Sequence, residues 1–172
     1  MALQARTTLS TITLKEDSSD LVFSGIPDTY KDLILISKVR STRASTDSDL
    51  FVQFNGDTGS NYSYIRMIGR SSGVNSAVNI NGTTYLDFGQ VPGASSSSGE
   101  FAFSNCEILD YASTSKHKST ITRTSSTGTT QVVGAHAGRW ANASNAISSI
   151  RIFTNFGSIT AGSTFSLYGR VA

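Results

Sequence analysis

Short runs rich in Val, Ile, Thr, Phe and Tyr recur along the whole chain, separated by clusters of Gly, Asn, Ser and Asp. Punctuation at intervals of roughly 8–15 residues is too dense for long helices and suits strands joined by turns. Candidate segments fall at 7–14, 21–24, 33–40, 50–54, 62–68, 77–80, 83–88, 101–109, 119–124, 131–137, 147–153 and 164–170, and about ten strands are expected from them. Ser and Thr supply about 50 of the 172 residues, which favours exposed strand faces and turns over helix interiors. The expected class is all-β, an antiparallel sandwich of jelly-roll type. One domain spans 1–172, with 1–8 as an extended N-terminal arm.

Alternation is clearest at Leu50, Val52 and Phe54, at Ile150 and Ile152, and at Phe165 and Leu167, where one side of each strand is apolar. Leu33-Ile34-Leu35-Ile36 does not alternate, so both its faces are expected to be covered, one by the second sheet and the other by something else, such as another subunit. In Phe101-Ala102-Phe103-Ser104-Asn105-Cys106-Glu107-Ile108 the apolar phase moves from odd to even positions, which predicts a bulge at Asn105. Asn81-Gly82 between two such runs predicts a type I′ hairpin. The stretches 41–48 and 93–99 read as exposed loops, the second mobile unless a neighbour orders it. Residues 139–146 form a turn or a single helical turn.

Charge and motifs exclude more than they suggest. Fourteen basic and twelve acidic residues give a net charge of +2 with no basic stripe, so nucleic acid is not an expected partner. The single cysteine, Cys106, excludes an intrachain disulfide and a Cys-based zinc site, and reads as a small core residue. Met1 to Arg6 lacks a signal-peptide pattern and no apolar stretch approaches the length of a bilayer, so synthesis in a cytoplasm and no membrane partner are expected.

No nucleophile elbow, phosphate loop or metalloprotease motif is present. His117 lies between Lys116 and Lys118 and reads as a solvated loop residue, His136 as a strand histidine. Asp47-Ser48-Asp49 lacks a third acid at calcium-loop spacing, and Asp57 suits a turn. Glu100, Glu107 and Asp110 are the only clustered carboxylates for glycan cleavage, and no positioned acid pair is evident. No cofactor, no metal and no enzymatic activity are expected. Among the aromatics, Tyr62 and Tyr64 share a strand face and Trp140 is the only tryptophan; they read either as a glycan platform or as packing, with Trp140 plugging the end of the sandwich.

Four stretches carry a resemblance: Phe54-Asn55-Gly56-Asp57-Thr58-Gly59-Ser60-Asn61-Tyr62-Ser63, Asp110-Tyr111-Ala112-Ser113-Thr114-Ser115-Lys116-His117-Lys118, Gly138-Arg139-Trp140-Ala141-Asn142, and Ala161-Gly162-Ser163-Thr164-Phe165-Ser166-Leu167-Tyr168-Gly169. With the opening 23–33, they make the chain resemble small virion structural proteins of tailed bacteriophages, especially those of aquatic bacteria and cyanobacteria. The resemblance implies a virion component, either a tail-fibre or appendage part or a capsid decoration (cement) protein. It supplies no catalytic residues. With no heptad run or repetitive shaft ahead of the strands, a free-standing decoration domain is the expectation: a protein on the capsid exterior that binds the major capsid protein and itself, as a homotrimer at positions of local three-fold symmetry. Arg6, Leu33, Leu35, Arg139 and Trp140 are the interface candidates, because exposed Trp and Arg favour hot spots and an apolar strand face needs cover. The alternative is an appendage head holding host surface glycan through Tyr62, Tyr64 and Trp140.

Overall fold

The computed structural model describes residues 6–71, 73–129 and 131–171. Twelve strands run in chain order: β1 Arg6–Thr13, β2 Asp20–Phe23, β3 Asp32–Val39, β4 Asp47–Phe54, β5 Tyr62–Arg70, β6 Gly73–Thr83, β7 Leu86–Pro92, β8 Ala102–Leu109, β9 Lys118–Thr127, β10 Gln131–Trp140, β11 Ile150–Thr154 and β12 Thr164–Arg170. They form two antiparallel sheets, one of eight strands in the order β1-β12-β3-β8-β9-β10-β5-β6 and one of four in the order β2-β11-β4-β7. The chain is an all-β sandwich. Among the described residues no helix is long and apolar enough to cross a membrane. Of the expected arm at 1–8, Met1 to Ala5 lie outside the described residues and Arg6 opens β1, paired with Arg170.

The core lies between the sheets. Leu33, Leu35, Ile108, Phe165 and Leu167 of the large sheet meet Leu21, Phe23, Val52, Phe54, Ile150 and Ile152 of the small one, all almost fully buried. Leu33-Ile34-Leu35-Ile36 splits between faces: Leu33 and Leu35 enter the core, while Ile34 points the other way and is still fully buried, paired with Tyr168 on one side and Glu107 on the other. The chain covers both faces of β3 at this point by itself, without a second subunit.

Two local expectations are corrected. Asn81-Gly82 does not turn a hairpin. β6 runs through it to Thr83, still paired with β5, and Gly82 at φ +67° is absorbed where Tyr62 pairs with Thr83 and Ser63 with Asn81, a bulge. No bulge occurs at Asn105 either, since β8 keeps unbroken register with β3 and β9. Phe103 simply points outward.

Over β9 and β10 the inner face is unusual, because Thr120, Thr122, Thr124, Ser126 and His136 are buried there. β7 packs against this polar region. Two glycines of β10 sit beneath it: a Cβ on Gly138 would come within 2.6 Å of Thr120 Oγ1 and 3.0 Å of Leu86 Cδ2, and one on Gly134 within 2.7 Å of His136 Nε2 and 2.8 Å of Thr124 Cγ2.

Two cations order the loops at the sandwich ends. Arg40 donates to the carbonyls of Ser97 at 2.7 Å, Ser96 at 2.8 Å, Glu100 at 3.1 Å and Ala94 at 3.4 Å, so the Ser-rich loop 93–99 is tied down from within the chain. Lys118 is fully buried, and its ammonium donates to the carbonyls of Asn142 at 3.0 Å, Lys116 at 3.3 Å and Asn145 while lying 5.4 Å from the Trp140 ring. Burial lowers the Lys118 pKa below the usual range for lysine. The loop after Trp140 is thus held in irregular form, with no helical turn between 139 and 146.

Candidate functional site

Strand register lays out the outward face of the large sheet as a grid. One row runs Phe103, Ser125, Val133, Gly69 across β8, β9, β10 and β5. The next runs Asn105, Arg123, Ala135, Met67, and a third Glu107, Ile121, Ala137, Ile65. Large apolar side chains therefore stand beside small ones. Phe103 and Met67 with Val133 rise around a floor that includes Ser125, Gly69 and Ala135, enclosing an open depression of about 750 Å³ with Arg123 in its lining. Val133 is 64% exposed, Met67 61%, Phe103 47% and Ile65 46%. Since full burial of such a side chain is worth about 1.5–3 kcal/mol, covering the exposed part would return on the order of 1 kcal/mol each. Scattered single apolar residues are ordinary on a surface; here four exposed ones gather on β8, β10 and β5, on either side of β9.

The charges on this face are uneven. Its outward positions carry Arg6, Lys38, Arg123, Arg139 and Arg170 against Asp32 and Glu107. Arg170 takes both carboxylates, with Nε 3.0 Å from Asp32 Oδ2 and Nη1 3.3 Å from Glu107 Oε2, and the hydrogen bond with Asp32 raises its pKa further. Among the described residues Arg123 has no ion-pair or hydrogen-bond partner, Arg139 donates only to Ser63 Oγ at 3.3 Å, and Lys38 lies over the Phe101 ring. Toward β1 and β12 the face changes character: Thr11 and Ser166 share a hydroxyl contact at 3.0 Å, and Thr13 and Thr164 one at 3.3 Å. The exposed apolar residues of this face stand on β8, β10 and β5, with Arg123 and Arg139 beside them on β9 and β10.

Apart from Glu107, the acids and histidines flagged in the sequence lie elsewhere. Asp87 is buried with Oδ2 2.7 Å from Arg66 Nη1 and Oδ1 3.3 Å from His136 Nδ1, and it accepts from the Gly89 amide at 2.8 Å. Burial pushes its pKa up, but His136 and Arg66 outweigh that and hold it below the usual carboxylate range. Asp49 lies 3.4 Å from Arg66 and Asp47 3.0 Å from Arg70. Both carboxylates of the Asp47-Ser48-Asp49 run therefore face guanidinium groups. Among the described residues no group of three or more His, Cys, Asp or Glu converges. Glu100 accepts from the Thr129 amide at 2.8 Å, Glu107 faces Arg170, and Asp110 pairs with Lys116 at 3.0 Å, so these three carboxylates serve separate partners. His117 is exposed.

The expected interface set divides. Arg6 and Arg139 are exposed, whereas Leu33, Leu35 and Trp140 are core and present nothing to a partner. The expected glycan set fails as a platform for the same reason. Trp140 is 1% exposed and Tyr62 fully buried, their rings stacked at 6.4 Å against Phe54. The Tyr62 hydroxyl donates to the Asp57 carbonyl at 3.1 Å and accepts from the Phe54 amide at 3.0 Å, and burial raises its pKa. Tyr64 is half-buried on the same inner face, its pKa pushed up to about 12 by burial and then by the charge of Asp87. Phe103, Met67 and Val133 were missed. Their signal was present in the phase change at Phe103 and in the exposed-side apolar residues of Ile65-Arg66-Met67.

No family model matches the chain, and no curated protein does. Among solved structures, the galectin LEC-6 of Caenorhabditis elegans aligns at 9% identity over 94% of this chain and 96% of its own, with a TM-score of 0.35. The carbohydrate-binding module CBM66 of Bacillus subtilis aligns at 7% identity over 98% of this chain and 94% of its own, with a TM-score of 0.26. At these values the likeness carries no argument about function. What the chain's own pairing and surface define is an antiparallel β-sandwich with an uncovered apolar and cationic sheet face.

Proposed function

We propose that the chain is a bacteriophage virion structural protein, a capsid decoration protein that seats on the outside of the shell through the outer face of its large sheet. The observation that carries this reading is the contiguous exposed group of Phe103, Met67, Val133 and Ile65 around an open depression. Such a face is built to be covered by another protein, and covering it adds interface area that stabilises the assembled state over the separated one. The resemblance to virion proteins supplies the setting, and the shell protein is the partner. On this reading the protein acts by burial and charge complementarity.

A second reading, an appendage head that holds host glycan, has one observation in its favour at a place not anticipated. On the far face of the small sheet, Phe51 packs with Tyr85 at 4.2 Å and Phe153 at 5.7 Å between ring centroids, and Arg151 lies 4.7 Å from the Phe153 ring while donating to Gln53 at 3.1 Å and Asp20 at 2.6 Å. Tyr85 and Phe153 are partly exposed while Phe51 is 4% exposed, and part-exposed rings flanked by fixed polar groups suit sugar stacking.

The copy number of this chain in purified virions decides between them. A ratio to the major capsid protein between about one-third and one places it on the shell lattice, and a ratio of a few per cent rejects the decoration reading in favour of the tail.

A further inference from the structure

The outer face of the large sheet is cationic as well as apolar, and its free charges are of one sign. Arg123 lines the depression without an acidic partner among the described residues, with Arg139 and Lys38 on the same face, while both carboxylates of that face are held by Arg170. A symmetric pair of copies joined through this face would set these cations against one another, and like charges brought together without compensation oppose association. The depression holds about 750 Å³, with large side chains at its rim and small ones on its floor.

Resting on the decoration reading, we infer that this groove docks an acidic and apolar segment of the partner protein. Apolar side chains of that segment fill the space between Phe103 and Val133 with Met67, and a carboxylate of the same segment pairs with Arg123. The guanidinium is suited to the task because it binds a carboxylate through two parallel hydrogen bonds and is weakly hydrated for a cation. Arg123 then sets which partner docks, and the apolar rim sets how tightly.

The test uses the full chain and two short capped peptides, one alternating Leu and Asp and the other alternating Leu and Lys, with phosphatidylglycerol vesicles as a third probe. The Leu–Asp peptide is expected to bind at least about tenfold more tightly than the Leu–Lys peptide, to weaken with salt, and to shift the backbone resonances of Phe103, Arg123, Val133 and Ala135. Arg123→Glu should reverse the preference. Equal binding of the two peptides, unchanged Leu–Asp binding in Arg123→Glu, or preferential binding to the vesicles overturns the inference. Association with stripped virions separates it from the reading on which it rests. If Val133→Asp abolishes association and Arg123→Glu does not, the face docks but the partner is not acidic; if both variants associate normally, the decoration reading through this face falls as well.

Discussion

The indole N–H of Trp140, at the end of β10, donates to Asp57 Oδ2 at 2.7 Å, joining the large sheet to the turn between β4 and β5. The same carboxylate accepts from the Gly59 amide at 2.8 Å and from Asn61 Nδ2 at 2.9 Å. Replacing Asp57 by Ala leaves a buried indole donor without its partner, at an expected loss of about 1–3 kcal/mol of unfolding free energy. Trp140→Ala removes the ring itself and should cost about 3–5 kcal/mol. Urea titrations of both variants check the order, and an Asp57→Ala variant as stable as the parent would contradict the role given to this bond.

Acid should destabilise the fold through Asp57 and Asp87. For Asp57, burial raises the pKa, but hydrogen bonds from Trp140, Asn61 and the Gly59 amide lower it by more. Asp87 behaves likewise, with His136 and Arg66 prevailing over burial. A carboxylate whose pKa is lower when folded contributes stability that is fully present above its unfolded value of about 3.9 and is lost as pH falls through the folded value. The urea midpoint should therefore begin to fall below about pH 4, and a midpoint that stays level down to about pH 2 would remove these two groups as its cause.

Arg40 holds the loop 93–99 by donating to three of its carbonyls and to that of Glu100 just beyond it, and hydrogen bonds to a charged donor contribute about 1.5–3 kcal/mol. In Arg40→Ala the amides of Ser95, Ser96 and Ser97 should exchange faster with solvent while those of β8 and β9 keep their protection. Unchanged exchange at the three serines would show that other contacts order the loop.

Cys106 is buried in the core, and burial pushes its thiol pKa up to about 12. The thiolate is the reactive form, so a thiol reagent at neutral pH should leave the native protein unlabelled and react fully only in denaturant. Rapid labelling of the folded chain would show that β8 opens far more readily than its pairing indicates.

Strand positions were legible wherever one face alternated cleanly. Leu50, Val52 and Phe54 fall on the core side of β4 as their spacing requires, and residues 164–170 form β12 with Phe165 and Leu167 inward. The misreadings share a cause, which is that periodicity records where apolar residues point without recording what covers them. Phe103 breaks the pattern of β8 because it stands exposed on the outer face of the large sheet, a break that reads as a bulge in the sequence. The run 33–36 looked like a strand awaiting a partner because Tyr168 and Glu107, distant in sequence, lie beside Ile34. Asn81-Gly82 has the residues of a hairpin turn, but pairing with β5 carried the strand past it and the positive φ of Gly82 became a kink within β6.

In β9 and β10 the usual cue for register is reversed, because Thr and His face inward while Val133 and Ala135 face out. A slip by one residue would carry Val133 or Ala135 into the core, but it would also turn Val132 and Trp140 out of it. The tight space around the two glycines of β10 opposes it as well. Gly134 and Gly138 lie where any Cβ would meet Thr124, His136, Thr120 or Leu86 at under 3 Å or close to it. Two positions that carry no side chain thus help to key these strands together, and the outward residues of this region can vary without altering how the strands line up.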